Sequence, residues 1–198
     1  MTCDHVDVIK DAVKDVIVSA VADVLPAGVA PRPQVHVFDD TLEQPYMGYV
    51  VCRRYYRGQD AAAAISHLGR LAAVMCASQL VVVWEESDIR SSILGGDPGD
   101  HPYGLAVLDA PFLLGSAHTL DWHPFQWCTS DGTPVYFPNP ALGVEWGQAS
   151  RHPGAPLPDP VPALLMSWRA AAGFGPGEVE RILSEAVSAG YEFRLTRH

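Results

Sequence analysis

The stretch Gln59 to Leu94, QDAAAAISHLGRLAAVMCASQLVVVWEESDIRSSIL, decides the fold. Ala61, Ala64, Leu68, Leu71 and Met75 recur at helical spacing, and Leu80 to Trp84 then run apolar without alternation. An unalternating run of that length is the pattern of a strand covered on both faces, which belongs at the centre of a sheet. Gly58 breaks the preceding segment, Asp60 is the expected helix cap, and the helix is expected to end near Ala77-Ser78. After the strand, Ser87 or Asp88 is expected to start one or two helical turns, stopped by Gly95-Gly96 and the polar loop GGDPGDHPYG.

Upstream, Val6, Ile9, Val13, Val16, Ala20 and Val24 form one apolar helical face, with Asp4 as cap and Asp7, Lys10, Asp11 and Lys14 elsewhere on the helix. Leu25-Pro26 ends it. Val35 and Val37 mark a short strand, and Tyr46 to Tyr56 a second one, antiparallel to the first. Downstream, Gly104 to Leu108 reads as a strand ending at Asp109, and Ala117 to Cys128 as a longer one interrupted by Pro124. Thr133 to Phe137 is expected to pair with it through the turn Ser130-Asp131-Gly132. The proline-dense run 138–160 is read as an extended surface segment anchored by Leu142, Val144 and Trp146. A helix with Val161, Leu164, Leu165 and Trp168 on one face and a last helix with Val179, Ile182, Leu183, Ala186 and Val187 form a C-terminal hairpin. Tyr191 to Leu195 returns as an edge strand.

The expectation is therefore one α/β (α+β) domain with a mixed sheet of about five or six strands. It divides into a core at 1–137, the extended segment at 138–160, and the hairpin and tail at 161–198. A chain of 198 residues buries roughly 70% of its unfolded surface in such a fold, enough for a core without staples. No apolar run reaches the roughly 18 residues of a membrane span, and no basic segment followed by an apolar one opens the sequence, so a cytoplasmic location is expected. Cys3, Cys52, Cys76 and Cys128 are widely spaced and read as buried free thiols. The formal charge of −10 opposes attraction to nucleic acid or to an anionic membrane.

Four groups of residues carry candidate chemistry. Glu85, Glu86 and Asp88 stand where the central strand ends, and Asp109 ends the next apolar run, an order in which two strand ends would present carboxylates to a divalent metal. The plainer reading is solvated side chains and a helix cap. His118 and His123 in HTLDWHPF would complete a metal site only if a bulge brought them to one face. Arg53, Arg54 and Arg57, interleaved with Tyr55 and Tyr56, are a phosphate-binding type of cluster, but a strand would split it between two faces. Cys76 and Cys52 read as packed small hydrophobes, and neither a Gly-x-Ser-x-Gly elbow, a P-loop nor a Gly-x-Gly-x-x-Gly fingerprint occurs.

In element order alone the chain is similar to the cytidine-deaminase fold and to the JAB-type isopeptidase fold. The deaminase family would need His-x-Glu where Gln59-Asp60-Ala61 stands, and Pro-Cys-x-x-Cys at the next helix, where Asp88-Ile89-Arg90 stands. The JAB-type family would place His-x-His at the end of the buried strand, followed by a Ser and an Asp; Trp84-Glu85-Glu86-Ser87-Asp88 stands there instead, with Ser92 and Asp97 present downstream. Neither zinc site carries over. The combination RRYYRGQDAAAAISHLGRLAAVMCASQLVVVWEESDI with HTLDWHPF and VEWG resembles uncharacterised proteins of actinobacteria, a likeness that implies a single domain and no activity.

Since no catalytic constellation is complete, the expected role is a non-catalytic, cytoplasmic interaction or assembly module without cofactors. Its contact area would come from the proline-rich segment and the Trp168 hairpin, with self-association the simplest case. The alternatives are a metal-dependent hydrolase using Glu85, Glu86, Asp109, His118 and His123, and a phosphate or nucleotide binder using Arg53, Arg54 and Arg57.

Overall fold

The computed structural model describes residues 3–113, 117–129, 132–135, 143–170 and 173–196. Its centre is strand β3, Gln79–Glu85, in which Leu80, Val81, Val82, Val83 and Trp84 are all buried. Strands β1 (Gln34–Phe38) and β4 (Gly104–Pro111) flank it, then β2 (Tyr46–Val51) and β5 (Thr119–Cys128) outside them. Beyond β2 lies β9 (Glu192–Leu195), the expected returning edge strand, and beyond β5 lies β6 (Pro134–Val135). Two further strands, β7 (Gly143–Trp146) and β8 (Ser150–Pro153), also pair with β5.

Three features correct the sequence reading of the sheet. Among the described residues it has nine strands rather than five or six. Every pairing among the described residues is antiparallel, so the sheet is not mixed. An antiparallel strand alternates in polarity only where one face is wet, and β3 has no wet face. Third, the proline-rich segment is not merely draped over the surface. β7 lies clear of its prolines, β8 ends on Pro153, and both bond to β5, with Val144 and Trp146 half-buried. Leu142 and the end of the expected 133–137 strand lie outside the described residues.

Helices cover both faces. Side chains alternate along β3, so Leu80, Val82 and Trp84 meet α2 (Gln59–Val74), α4 (Val161–Ala170) and α5 (Pro176–Ala189) on one side. Ala64, Ile65, Leu68, Leu164, Trp168 and Ile182 supply much of that layer. Val81 and Val83 point the other way, with Leu105 and Val107, toward Ile17 and Val21 of α1 (Cys3–Val24). The short helix α3 (Glu86–Leu94) follows β3 directly.

Local capping differs from expectation at two places. Gly58, not Asp60, precedes α2, with φ of 84° that a side chain would rarely adopt. Asp60 instead accepts from the Tyr56 backbone N–H at 2.8 Å and pairs with Arg53. At α3 the cap is Glu85, whose carboxylate accepts from the backbone N–H groups of Ser87 at 3.1 Å and Asp88 at 2.6 Å. The helix α2 also stops at Val74, earlier than read, which puts Cys76 in a left-handed, exposed turn instead of the core.

Packing of α4 on α2 depends on Gly69. A Cβ placed there would lie 2.0 Å from the Leu164 carbonyl oxygen, a backbone atom with no rotamer to escape through. Gly69→Ala is expected to cost at least about 1–3 kcal/mol by forcing the two helices apart, despite the higher helix propensity of alanine. Denaturant unfolding of the variant checks this, and an unchanged or raised midpoint would contradict it.

Candidate functional site

The carboxylates expected at a metal are dispersed into structural duties. Glu85 caps α3 and also takes the Gly104 N–H at 3.3 Å, while burial pushes its carboxyl up to about 7 against the pull of those three donors. Glu86 accepts from the Trp84 indole at 2.6 Å and pairs with Arg90. Asp88 accepts from the Tyr55 hydroxyl at 3.1 Å. His118 meets the Ala155 carbonyl at 2.8 Å, and His123 lines a hollow with Asp121 and Arg151. Among the described residues no three His, Cys, Asp or Glu side chains gather as a metal would require. The alternative set Glu85, Glu86, Asp109, His118 and His123 is therefore not brought together.

The arginines do not converge either. Strand β2 ends at Val51, so residues 53–57 form an irregular connector to α2 rather than the end of a strand. Arg53 pairs with Asp60 and donates to the Arg54 carbonyl at 2.9 Å, and Arg57 donates to the Gly96 carbonyl at 3.0 Å. Arg54 is exposed beside Tyr55 and Asp88 in a separate shallow hollow.

Asp109 has a role that its sequence context did not reveal. It receives Lys10 Nζ on Oδ1 and Lys14 Nζ on Oδ2, each at 3.1 Å. Lys14 also lies 3.6 Å from Asp121, which Arg151 grips in two hydrogen bonds of 2.6 and 3.1 Å. These are the chain's only two lysines, and their side chains are 7% and 9% exposed. Burial works against the charge of Lys14, yet the Asp109 and Asp121 carboxylates hold its pKa above the ordinary value. The clasp ties α1 to the sheet and fixes which side of the helix faces inward.

That orientation reverses part of the expected helix face. Lys10 and Lys14 point in, while Val16 is 68% exposed and Val24 44% exposed. Val8, at 67% exposed, extends the stripe, and Ala12 and Ala20 continue it at a spacing of four residues. Alongside the stripe runs a groove of about 640 Å³, walled by α1 and floored by His36, Tyr46 and Tyr49 of β1 and β2. Tyr49 stacks on His36 with ring centroids 4.9 Å apart, and Tyr46 Oη shares a 2.9 Å hydrogen bond with His36 Nδ1. Nε2 of the same ring is buried with no hydrogen-bond partner. In the C-terminal hairpin Trp168 is itself fully buried and donates its indole N–H to the Ala77 carbonyl at 3.1 Å, while Met166 of α4 and Val187 of α5 are exposed.

With this geometry in place, comparison finds no matching protein family, curated protein or solved structure. No helix is long and apolar enough to cross a membrane among the described residues.

Sequence reasoning missed the groove because its floor comes from a half-buried strand pair and its wall from the outer side of a helix. The one available signal was that apolar residues occupy more of α1 than a single inward face requires, including Val8, Ala12 and Val18.

Two outcomes follow from the ionisable groups. Burial lowers the His36 pKa from 6.5 to about 3, so the folded state favours the neutral ring. The stability this contributes is complete above the unfolded pKa and is lost as pH falls from about 6.5 toward 3. Thermal midpoints of His36→Phe are expected to fall less steeply across that window than those of the parent protein, and parallel slopes would refute the assignment. Asp109→Asn removes the carboxylate that Lys10 and Lys14 share, leaving Lys10 with Asp7 at 2.9 Å and Lys14 with Asp11 at 3.4 Å and Asp121 at 3.6 Å, and is expected to destabilise the fold by about 1–3 kcal/mol in urea unfolding.

Proposed function

We propose that this protein is a non-catalytic, cytoplasmic interaction module, a single domain whose docking surface is the apolar groove between α1 and the β1–β2 pair. One observation carries the reading. A stripe of valine and alanine lies on the open side of α1, against a patch of sheet that no element of the described chain covers. Apolar side chains scattered singly over a surface need no explanation, but a contiguous strip beside a concave apolar floor marks a contact area. Charge agrees with a protein partner: the groove is neutral in a chain of net charge −10, a balance that disfavours polyanions.

The groove predicts binding of a neutral solvatochromic dye at low micromolar protein. Val16→Asp is expected to abolish the fluorescence gain with little change in thermal midpoint, since the site is exposed. The matching change at an exposed valine far from the groove, Val187→Asp on α5, is expected to leave it intact. A parent protein that leaves the dye dark, or a Val16→Asp variant as bright as the parent, would overturn the reading.

A further inference from the structure

We infer that the occupant of this groove is helix α1 of a second copy of the same chain, an inference that rests on the docking reading above.

The uncovered area has the width of one helix. Seven strands in line span about 29 Å at a spacing of about 4.8 Å, and a helix with its side chains covers about 10 Å of that. Three helices, α2, α4 and α5, share the opposite face. On the other face α1 covers Val81, Val83, Leu105 and Val107, and Phe125 and Trp127 close the β5 end. What stays open is the sheet margin over β2 and β9, about two strand widths across, since Phe38 and His36 of β1 are buried at 0% and 4% exposure.

The groove is also self-complementary. Its wall is the Val8, Ala12, Val16, Ala20 stripe, and a two-fold axis running along that stripe lays each α1 parallel to its counterpart and over the other copy's open patch, with the two sheets facing each other across the helix pair. Alanine at every second stripe position keeps the side chains small, which suits helix axes about 8–10 Å apart. The outward Val8, which serves nothing in an isolated chain, becomes a contact.

Charge decides between a second copy and a stranger. Two chains of net charge −10 repel, so self-association requires a neutral seam with opposite charges at its rims. The stripe is uncharged, and α1's acids Asp11 and Asp15 lie on its far flank, facing the hollow that Asp121 and Arg151 also line. In the two-fold arrangement that flank of the incoming helix faces the β9 rim. There Arg194 pairs in register with Tyr49, on the groove side of the sheet, and is 63% exposed, with the neighbouring Glu192 at 3.2 Å as its ion-pair partner among the described residues. Asp15 against Arg194 is the complementary contact.

Sedimentation of the full chain tests this. At about 100 µM the parent is expected at twice the 21.4 kDa chain mass, with dye fluorescence per chain falling as association fills the groove. Val16→Asp and Val8→Asp are expected at single mass with an unchanged circular dichroism spectrum, while Val187→Asp stays double. Arg194→Glu is expected to weaken association about tenfold or more, and adding Asp15→Arg to restore it. A parent at single mass overturns the second-copy inference. In that case the docking reading survives only if the dye still separates the parent from Val16→Asp, and a dark parent sinks both. Double mass that neither Val16→Asp nor Val8→Asp disturbs places the interface elsewhere and also overturns the inference.

Discussion

Strand β3 has no face to spare for water, and the architecture answers that constraint. Five consecutive buried apolar residues have to be sandwiched, because an exposed run of that length would forfeit about 1.5–3 kcal/mol for each large side chain left wet. Antiparallel neighbours on both edges satisfy the backbone, and a helical layer on each side satisfies the side chains. The two layers are unequal. Three helices crowd the face of Leu80, Val82 and Trp84, with Gly69 letting α4 approach α2 closely, whereas a single helix covers the face of Val81 and Val83.

How that single helix is seated matters for function. Apolar residues wrap around more than half of α1, so hydrophobicity alone does not choose its inward side. The choice falls to Lys10 and Lys14, whose ammonium groups meet Asp109 at the sheet surface and whose aliphatic stems help fill the interface. Taking such groups out of water costs several kcal/mol each, and the arrangement persists because one carboxylate serves both and Asp121, held by Arg151, stands behind it. With the lysines in, Val8 and Val16 have to face out. A buried ionic clasp thereby creates an exposed apolar strip, and stability and docking share the same rotation of one helix.

The parts of this fold that were legible in the chain are those governed by neighbours in sequence. The β3 run, the body of α2, the antiparallel β1–β2 pair and the returning edge at β9 all follow from local periodicity and turn residues. The misread parts depend on distant residues. Glu85 was taken for a solvated strand end, yet it caps α3 because Gly104 on the neighbouring strand completes its hydrogen bonding. The prolines around 143–153 hid two short strands, since β7 and β8 need only a few free N–H groups each and take their register from β5. Asp109, His118 and His123 resembled ligands in one dimension and proved to face lysines, a backbone carbonyl and an ionic hollow in three.

Periodicity, charge count and turn chemistry were enough to establish from the chain alone a layered α/β protein with a doubly covered central strand and an acidic exterior, because those properties arise from residues within one turn or one strand of each other. Which side of α1 meets the sheet, and hence whether a groove exists above His36, was settled in the folded molecule. The reason is physical: the inward side of α1 joins Val6, Ile17 and Val21 to a contact between Lys10 and Asp109, 99 residues apart, and no window along the sequence contains both partners of that contact.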